Sequence, residues 1–400
     1  MKTVLFVTYG SGHVRMVVPV ARALALRAEV RPVVLALTTA ASVVHSAGLE
    51  LVQFKNFITL ADGVAIAHGK RLLAEMPGIV ADPEETIAYL GLCYAELADE
   101  VGAQEAQRLY QRDGRQAFLP ARTLQRIIRH VAPSLVVATN SPRAERAAVM
   151  AARKLGLPSV CLVDLFCLDE VGWIGAPGYA DKVCVLNESV KKFLVSSGRQ
   201  KEQIAVTGNP AFDTLVDPLH VQAGRHLRSD RAWGDKHVLL WPVQVEPAYH
   251  PFNGLAGDPA LPQHALTQVI KWVLSRNDCV LCIRPRAGAC SPSVQDDPRI
   301  EITDQEVSLP ALLHAVDLVV TLNSTVGLEG HLAGTRLVQI LGSVFDAAMP
   351  LKSYGIADEA VNLDGIAAAL DRVVSRPRGQ VGGLQADAAS KVVDVLLKFL

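Results

Sequence analysis

Short apolar runs alternate along this chain with longer segments in which apolar residues return at helical spacing. In the first half the runs predict strands over residues 3–9, 32–38, 49–54, 134–139, 159–166 and 182–186. Helices are predicted over 13–28, over a short stretch ending at Gly48, and over 143–156 and 189–197. The stretch from about residue 83 to 130 reads as long, helical and more polar. The second half repeats the pattern, with strands over 237–244, 279–284, 318–322 and 336–341 and helices over 261–276, 308–316, 324–334 and 365–374. A Pro/Gly-rich joint at 377–383 precedes a last helix over 384–400. Residues 56–77 and 246–262 carry too little pattern to decode and are read as loops. Strand–helix alternation with apolar strands predicts α/β architecture with parallel, doubly wound sheets.

At 400 residues the chain is longer than a single core usually supports, so two domains are expected. The turn cluster Val206-Thr207-Gly208-Asn209-Pro210 marks the boundary. The expected division is an N-terminal domain over 1–206 and a C-terminal domain over 207–376, facing a central cleft. The segment 377–400 is expected to pack its helix back on the N-terminal domain.

Composition narrows the function classes. Half the residues are hydrophobic and a fifth are charged, which excludes a disordered chain. A formal net charge of −1 gives no basic field for nucleic acid. Cys161, Cys184, Cys279 and Cys282 lie in apolar runs, and the Cys279-x-x-Cys282 pair would point to opposite faces of a strand. No second cysteine pair completes a zinc site, so reduced thiols, no metal and a cytoplasmic location are expected. There is no apolar run of membrane-spanning length, and the one after Lys2 stops at Gly10, short of a secretory signal. Arg122, Arg126 and Arg129 share one face of a predicted helix, which is either a solvated stripe or a peripheral contact with anionic lipid at the inner face of a membrane.

Two strand-to-helix turns carry the candidate chemistry. The first, Gly10-Ser11-Gly12-His13, places small residues and backbone N–H groups at a helix start. His13 is either a cap residue or a general base, since neutral imidazole accepts a hydroxyl proton near neutral pH. The second, Asn323-Ser324-Thr325-Val326-Gly327-Leu328-Glu329, pairs such a helix start with a carboxylate about one helical turn on. An anion and hydroxyl groups side by side suggest a nucleotide diphosphate and its ribose. Gly327 and Gly330 leave this helix nearly bare at roughly 1 kcal/mol each against Ala, which suggests close approach by a ligand.

Other polar residues fall at strand ends. Arg284-Pro285-Arg286 closes one strand, where the planar guanidinium suits phosphate. Gln244 and Glu246 follow another, placed to bond sugar hydroxyls. Asn140 follows the strand ending at Thr139. Asp164 is predicted inside an apolar strand, where a carboxylate needs a partner; it either pairs structurally, orients His13 or touches an acceptor.

With these residues in hand, the chain resembles the two-domain, Rossmann-like sugar-nucleotide enzymes of the GT-B class. Gly10-Ser11-Gly12-His13 is similar to the Gly-rich turn of inverting GT-B glycosyltransferases. Thr207-Gly208-Asn209-Pro210-Ala211-Phe212-Asp213 resembles the interdomain stretch of bacterial capsule, teichoic-acid and Kdo transferases and their UDP-GlcNAc 2-epimerase relatives. Asn323–Glu329 resembles their Ser-Ser-Thr-Val-Gly-Leu-Glu-Ala element, with Gly330 in place of the usual Ala. The resemblance implies that Ser324 and Thr325 hold the donor phosphates and Glu329 the ribose hydroxyls; Gly208, Asn209, Arg284, Asn323 and Gly327 are further expected to contact the nucleotide. From residue type and position, Gly10, Ser11, Gly12, Asn140, Asp164, Gln244 and Glu246 are expected to contact sugar or acceptor. The family's Arg-Pro-His-Pro reads Arg284-Pro285-Arg286-Ala287, so its histidine is missing, and no segment characteristic of the 2-epimerases is evident.

The expected function is metal-independent transfer of a sugar from a nucleotide-sugar donor to a hydroxyl on a sugar or lipid-linked acceptor, in bacterial surface polysaccharide or glycolipid synthesis. His13 would be the base, inversion the outcome, and the nucleotide sugar a co-substrate rather than a cofactor. A sugar-nucleotide hydrolase or 2-epimerase on the same fold is the first rival, and a non-catalytic sugar-nucleotide-binding or scaffold subunit the second. A dinucleotide-dependent dehydrogenase does not fit, because Arg15 stands where the third glycine of Gly-x-Gly-x-x-Gly would be.

Overall fold

The first apolar run forms β1 (Lys2–Thr8), whose last five residues are buried on both faces. Six further strands pair with it: β2 (Val30–Ala36), β3 (Glu50–Val52), β4 (Leu135–Thr139), β5 (Ser159–Leu162), β6 (Lys182–Val185) and β7 (Ile204–Val206). In this computed structural model they make one parallel sheet in the order β3-β2-β1-β4-β5-β6-β7. Burial on both faces follows from helical crossovers, which is why these strands read as unbroken apolar runs rather than as alternation. The structure describes residues 1–76, 80–250, 253–285, 294, 296–303, 306–376 and 387–400; the joint predicted at 377–383 lies outside them.

Its helices before Ala211 are α1 (Gly12–Ala25), α2 (Ala40–Ser46), α3 (Gly63–Ala74), α4 (Pro83–Val101), α5 (Ala103–Asp113), α6 (Ala121–Val131), α7 (Ala144–Lys154), α8 (Val171–Ile174) and α9 (Glu188–Ser196). Val4 and Phe6 of β1 pack with Val14, Val17, Val20 and Leu24 of α1. Val392, Val393 and Leu396 of the C-terminal helix (Ala388–Leu397) join the same core. The unit therefore comprises Met1–Ala211 together with Asp387–Leu400, and the second unit is Phe212–Ala386. The division falls after Ala211 rather than after Val206.

Two segments differ from expectation. The stretch 83–130 holds three helices, α4 to α6, broken at Gly102 and Gly114, both with positive φ. Within 56–77, read as a loop, α3 packs on α4 at glycines: a Cβ at Gly69 would stand 2.1 Å from Ile87 O, and one at Gly91 2.1 Å from Ala65 O. A contact made through backbone leaves little apolar periodicity to see. The predicted arginine stripe is largely engaged in ion pairs. Arg122 donates to Asp99 Oδ2 at 3.1 Å and Arg126 to Asp62 Oδ1 at 2.8 Å, and only Arg129 of the three lacks such a partner among the described residues. Among the described residues no helix is long and apolar enough to cross a membrane.

The second unit repeats the design with β8 (His237–Pro242), β9 (Cys279–Arg284), β10 (Ile300–Ile302), β11 (Leu318–Thr321), β12 (Arg336–Ile340) and β13 (Glu359–Val361). Its parallel order is β10-β9-β8-β11-β12-β13. The two edge strands, three residues each, carry Glu301 and Glu359, and are too short and polar to predict. Its helices are α10 (Pro218–Asp230), α11 (Leu261–Leu274), α12 (Leu309–Ala315), α13 (Thr325–Leu332) and α14 (Ile366–Val374). Cys279 joins Leu239, Trp241, Leu281 and Val320 in one core layer, while Cys282, three positions along β9, is buried on the other face. Each sheet reverses its strand order once, between β1 and β4 and between β8 and β11. The crevices outside the carboxyl ends of those strand pairs are where open α/β sheets bind ligands.

Candidate functional site

Both sequence-predicted turns sit at these reversals: Gly10–His13 after β1 and Asn323–Glu329 after β11. In the first unit, Ser11 caps α1 with φ 58° and no side-chain capping bond, so the first N–H groups of the helix have no side-chain acceptor. A non-glycine residue in that region carries roughly 1–3 kcal/mol of strain. Gly10 is required by space, since a Cβ there would meet Thr39 Oγ1 at 1.9 Å; above Gly12 nothing lies within 4 Å. His13 is not a satisfied cap residue, because its Nδ1 is buried without a hydrogen-bond partner among the described residues. Burial draws the imidazole below its ordinary pKa; the nearby Asp164 charge opposes that shift and Arg143 adds to it. The ring is thus held neutral, the form that accepts a proton.

Asp164 lies just past β5, which ends at Leu162, rather than inside a strand. Its Oδ1 accepts from Asn140 Nδ2 at 2.9 Å and from Leu165 N at 2.7 Å, which satisfies the carboxylate. The same Asn140 amide donates to Glu170 Oε1 at 2.8 Å. Burial, with the Asp164 charge second, pushes Glu170 up to about 7. Beneath the turn, the fully buried Glu145 accepts from Tyr9 N at 2.8 Å and from Thr139 Oγ1 at 3.3 Å. Burial raises it to about 7 as well. Tyr9 shares a 2.6 Å hydrogen bond with Tyr89, and Arg143 lies over its ring at 4.5 Å. Sequence reasoning missed Arg143, Glu145 and Glu170. All three follow strands β4 or β5, so the strand-end rule that picked Asn140 and Asp164 reaches them too.

Gly208 and Asn209, assigned to the nucleotide, belong to this first unit. Gly208 adopts φ +80°, and Asn209 Nδ2 donates to Asp164 O at 2.8 Å while its Oδ1 accepts from Ala211 N at 2.9 Å. The conspicuous turn motif thus fixes the Asp164 loop.

In the second unit Ser324 is the N-cap of α13, its hydroxyl accepting from Val326 N at 3.3 Å. Thr325 follows it, exposed, its hydroxyl unbonded among the described residues. Glu329 is half-buried and acts through its charge on Arg284, which burial otherwise pushes to a lower pKa. Arg284 is aimed by a 2.9 Å hydrogen bond from Nη1 to Val307 O; Arg286 lies outside the described residues. The two glycines have a packing reason of their own. A Cβ at Gly327 would stand 2.9 Å from Thr321 Cγ2, and one at Gly330 2.8 Å from Val319 Cγ2, so they let α13 lie close on β11.

Gln244 and Glu246, predicted to bond sugar hydroxyls, are engaged within the protein. Gln244 Oε1 accepts from Asn323 N at 2.9 Å and its Nε2 donates to Pro242 O at 3.2 Å. The buried Glu246 accepts from Ser343 Oγ and from Val344 N, both at 2.7 Å. Asn323 Nδ2 donates to Ser343 Oγ at 2.6 Å. These bonds tie the loops after β8, β11 and β12 into one frame behind Thr325. Ser343, which follows β12 in Gly342-Ser343, was not singled out from sequence.

The fold is of the GT-B class, two Rossmann-like α/β units in one chain. Solved structures share it over their whole length. S. aureus MnaA in its UDP co-structure matches with a TM-score of 0.62 at 12% identity, covering 100% of this chain and 98% of that one. The UDP-GlcNAc 2-epimerase from Neisseria meningitidis bound to UDP-GlcNAc matches with a TM-score of 0.60 at 10% identity, covering 99% and 100%. CalG4, the calicheamicin glycosyltransferase, matches with a TM-score of 0.59 at 17% identity, covering 100% and 98%. No protein-family model and no curated protein sequence matches the chain.

Proposed function

We propose that this chain processes a nucleotide-activated sugar, and that it transfers the sugar to a hydroxyl acceptor. The observation that carries the reading is His13: a neutral, half-buried imidazole with a buried, unbonded Nδ1, at the carboxyl end of β1 beside Asp164. That is what removal of an acceptor hydroxyl proton needs. The donor diphosphate would lie at the start of α13, on Ser324 and Thr325, with Glu329 toward the ribose. As the anomeric C–O bond breaks, the leaving diphosphate gains charge, which the helix start and Arg284 stabilise electrostatically. The acceptor oxygen forms the new bond as His13 takes its proton. The same fold in UDP-sugar epimerases and in a glycosyltransferase supports the substrate class. Surface polysaccharide or glycolipid synthesis is the setting we propose.

The Asp164–Glu170 pair supports a second reading. One carboxylate near 7 beside another offers an acid and a base for hydrolysing or epimerising the nucleotide sugar without an acceptor.

The test is a thermal-shift screen against UDP, GDP, CDP, CMP, TDP and their sugars, repeated on Glu329→Ala. A rise with one nucleotide, lost in the variant, is expected. No shift with any of them overturns the reading. Incubating the matched sugar nucleotide alone then separates the activities: free nucleotide or an isomerised sugar favours the second reading, and unchanged donor favours transfer.

A further inference from the structure

We propose that Arg143 and the start of α1 form an oxyanion subsite beside His13 in the first unit, so that the acceptor carries a carboxylate or a phosphate group. The proposal deepens the function given above and rests on it only for the word acceptor. Arg143 precedes α7 and is half-buried. Its guanidinium is stacked 4.5 Å above the Tyr9 ring, not set across from a carboxylate. Its Nε is buried without a partner, and no acceptor bonds the guanidinium among the described residues. Four other partly buried arginines are held, Arg228 by Asp317, Arg299 by Asp297, Arg336 by Asp358 and Arg284 by Val307 O, while Arg146 stacks on Trp173 at 5.0 Å. Leaving a buried donor unbonded costs about 1–3 kcal/mol, and a bound oxyanion removes that cost.

The neighbouring groups suit the same ligand. His13 Nδ1 is buried and unbonded, α1 begins without a side-chain cap, and the space above Gly12 is open. Glu145, whose carboxyl feels the Arg143 charge, accepts from Tyr9 N and Thr139 Oγ1 and is raised to about 7 by burial, so near neutral pH it neutralises Arg143 only in part. Asp164 and Glu170 are bound to the Asn140 amide. Tyr9, Tyr89 and Cys93, the other titratable groups near the guanidinium, are all raised by burial and stay neutral. The site is therefore polarised, with donors at Arg143 and the α1 start, carboxylates at Asp164 and Glu170, and the His13 imidazole close to both. A planar guanidinium matches two oxygens of one carboxylate or phosphate.

The test titrates the full chain with D-glucuronate, D-glucose 6-phosphate and D-glucose while following the His13 imidazole by NMR, its signal assigned by its loss in His13→Gln. At least one anionic sugar is expected to bind and raise the His13 pKa, and D-glucose to do neither. Whichever anion binds tighter tells a carboxylate acceptor from a phosphorylated one. Arg143→Gln should weaken that binding tenfold or more, and Arg143→Lys, which keeps the charge and loses the fork, threefold to tenfold. Equal binding of all three sugars, no binding of either anion, or an unchanged affinity in both folded variants overturns the proposal. Nucleotide binding at α13 is read separately: its failure with anion binding intact sinks the proposed function and leaves this subsite standing.

Discussion

Asn140 and Asp164 hold each other reciprocally: Asn140 Nδ2 donates to Asp164 Oδ1 at 2.9 Å, and Asp164 N donates back to Asn140 Oδ1 at 3.2 Å. The pair joins the loop after β4 to the loop after β5, and the amide also reaches Glu170 at 2.8 Å. Asn140→Asp removes the shared donor and sets three carboxylates together. The expected loss of stability is about 1–3 kcal/mol at pH 8. It shrinks toward pH 5 as Glu170, near 7 in the parent, and the new carboxyl take up protons and become donors. Chemical denaturation at both pH values checks it, and an equal loss at each would contradict the argument.

Glu145→Gln tests the buried carboxyl beneath the turn. Burial lifts Glu145 from an ordinary 4.5 to about 7, so the folded state favours its protonated form. That contribution is present below about 4.5 and is lost as pH rises through about 7, a total of about 3 kcal/mol. Gln keeps an oxygen for Tyr9 N–H and has no charge to bury. Wild type and variant should be close at pH 5, with the variant more stable at pH 8 by up to that amount. Parallel stability curves across this range would show that Glu145 is not the linked group.

The fold was largely legible because parallel strands buried on both faces leave continuous apolar runs, and β1, β9, β11 and β12 stand where such runs do. The short edge strands β10 and β13 and the glycine-packed α3 leave no such trace. Residue type and strand-end position singled out His13, Asn140, Asp164, Ser324, Thr325 and Glu329 as candidates. They did not say which polar side chains were already occupied. Gln244, Glu246 and Asn209 have the chemistry of ligand-binding residues, and their intramolecular hydrogen bonds, which sequence does not show, tie them into the loop framework. Arg143 is the converse: its importance lies in bonds it does not make among the described residues.

Two glycines separate packing from ligand access. Gly69→Ala drives a Cβ to within 2.1 Å of the Ile87 carbonyl, which cannot rotate away, so α3 and α4 must part at a cost of about 1–3 kcal/mol or more. Gly12→Ala meets nothing within 4 Å and lies in the first turn of α1, so stability should hold or rise by up to about 1 kcal/mol. The methyl does stand over the helix start where a substrate would approach. Anionic-sugar binding should therefore fall in Gly12→Ala without a drop in melting temperature; unchanged binding would place the ligand elsewhere.

Glu246 decides whether the loop frame or a direct sugar contact explains its placement at the end of β8. In the structure its two oxygens hold Ser343 Oγ and Val344 N, each at 2.7 Å, and through Ser343 they reach Asn323. Glu246→Ala orphans both donors, and at about 1–3 kcal/mol for each unsatisfied buried group the domain should lose about 2–6 kcal/mol, read as a lower denaturation midpoint at unchanged slope. Asn323 then loses the partner that fixes its side chain, so nucleotide affinity at the start of α13 should fall as a consequence. Adding Asn323→Ala to Glu246→Ala should cost little further affinity, because both act through one frame. A sugar-binding Glu246 would behave oppositely: stability nearly unchanged, nucleotide sugar weakened, and the free nucleotide binding as before.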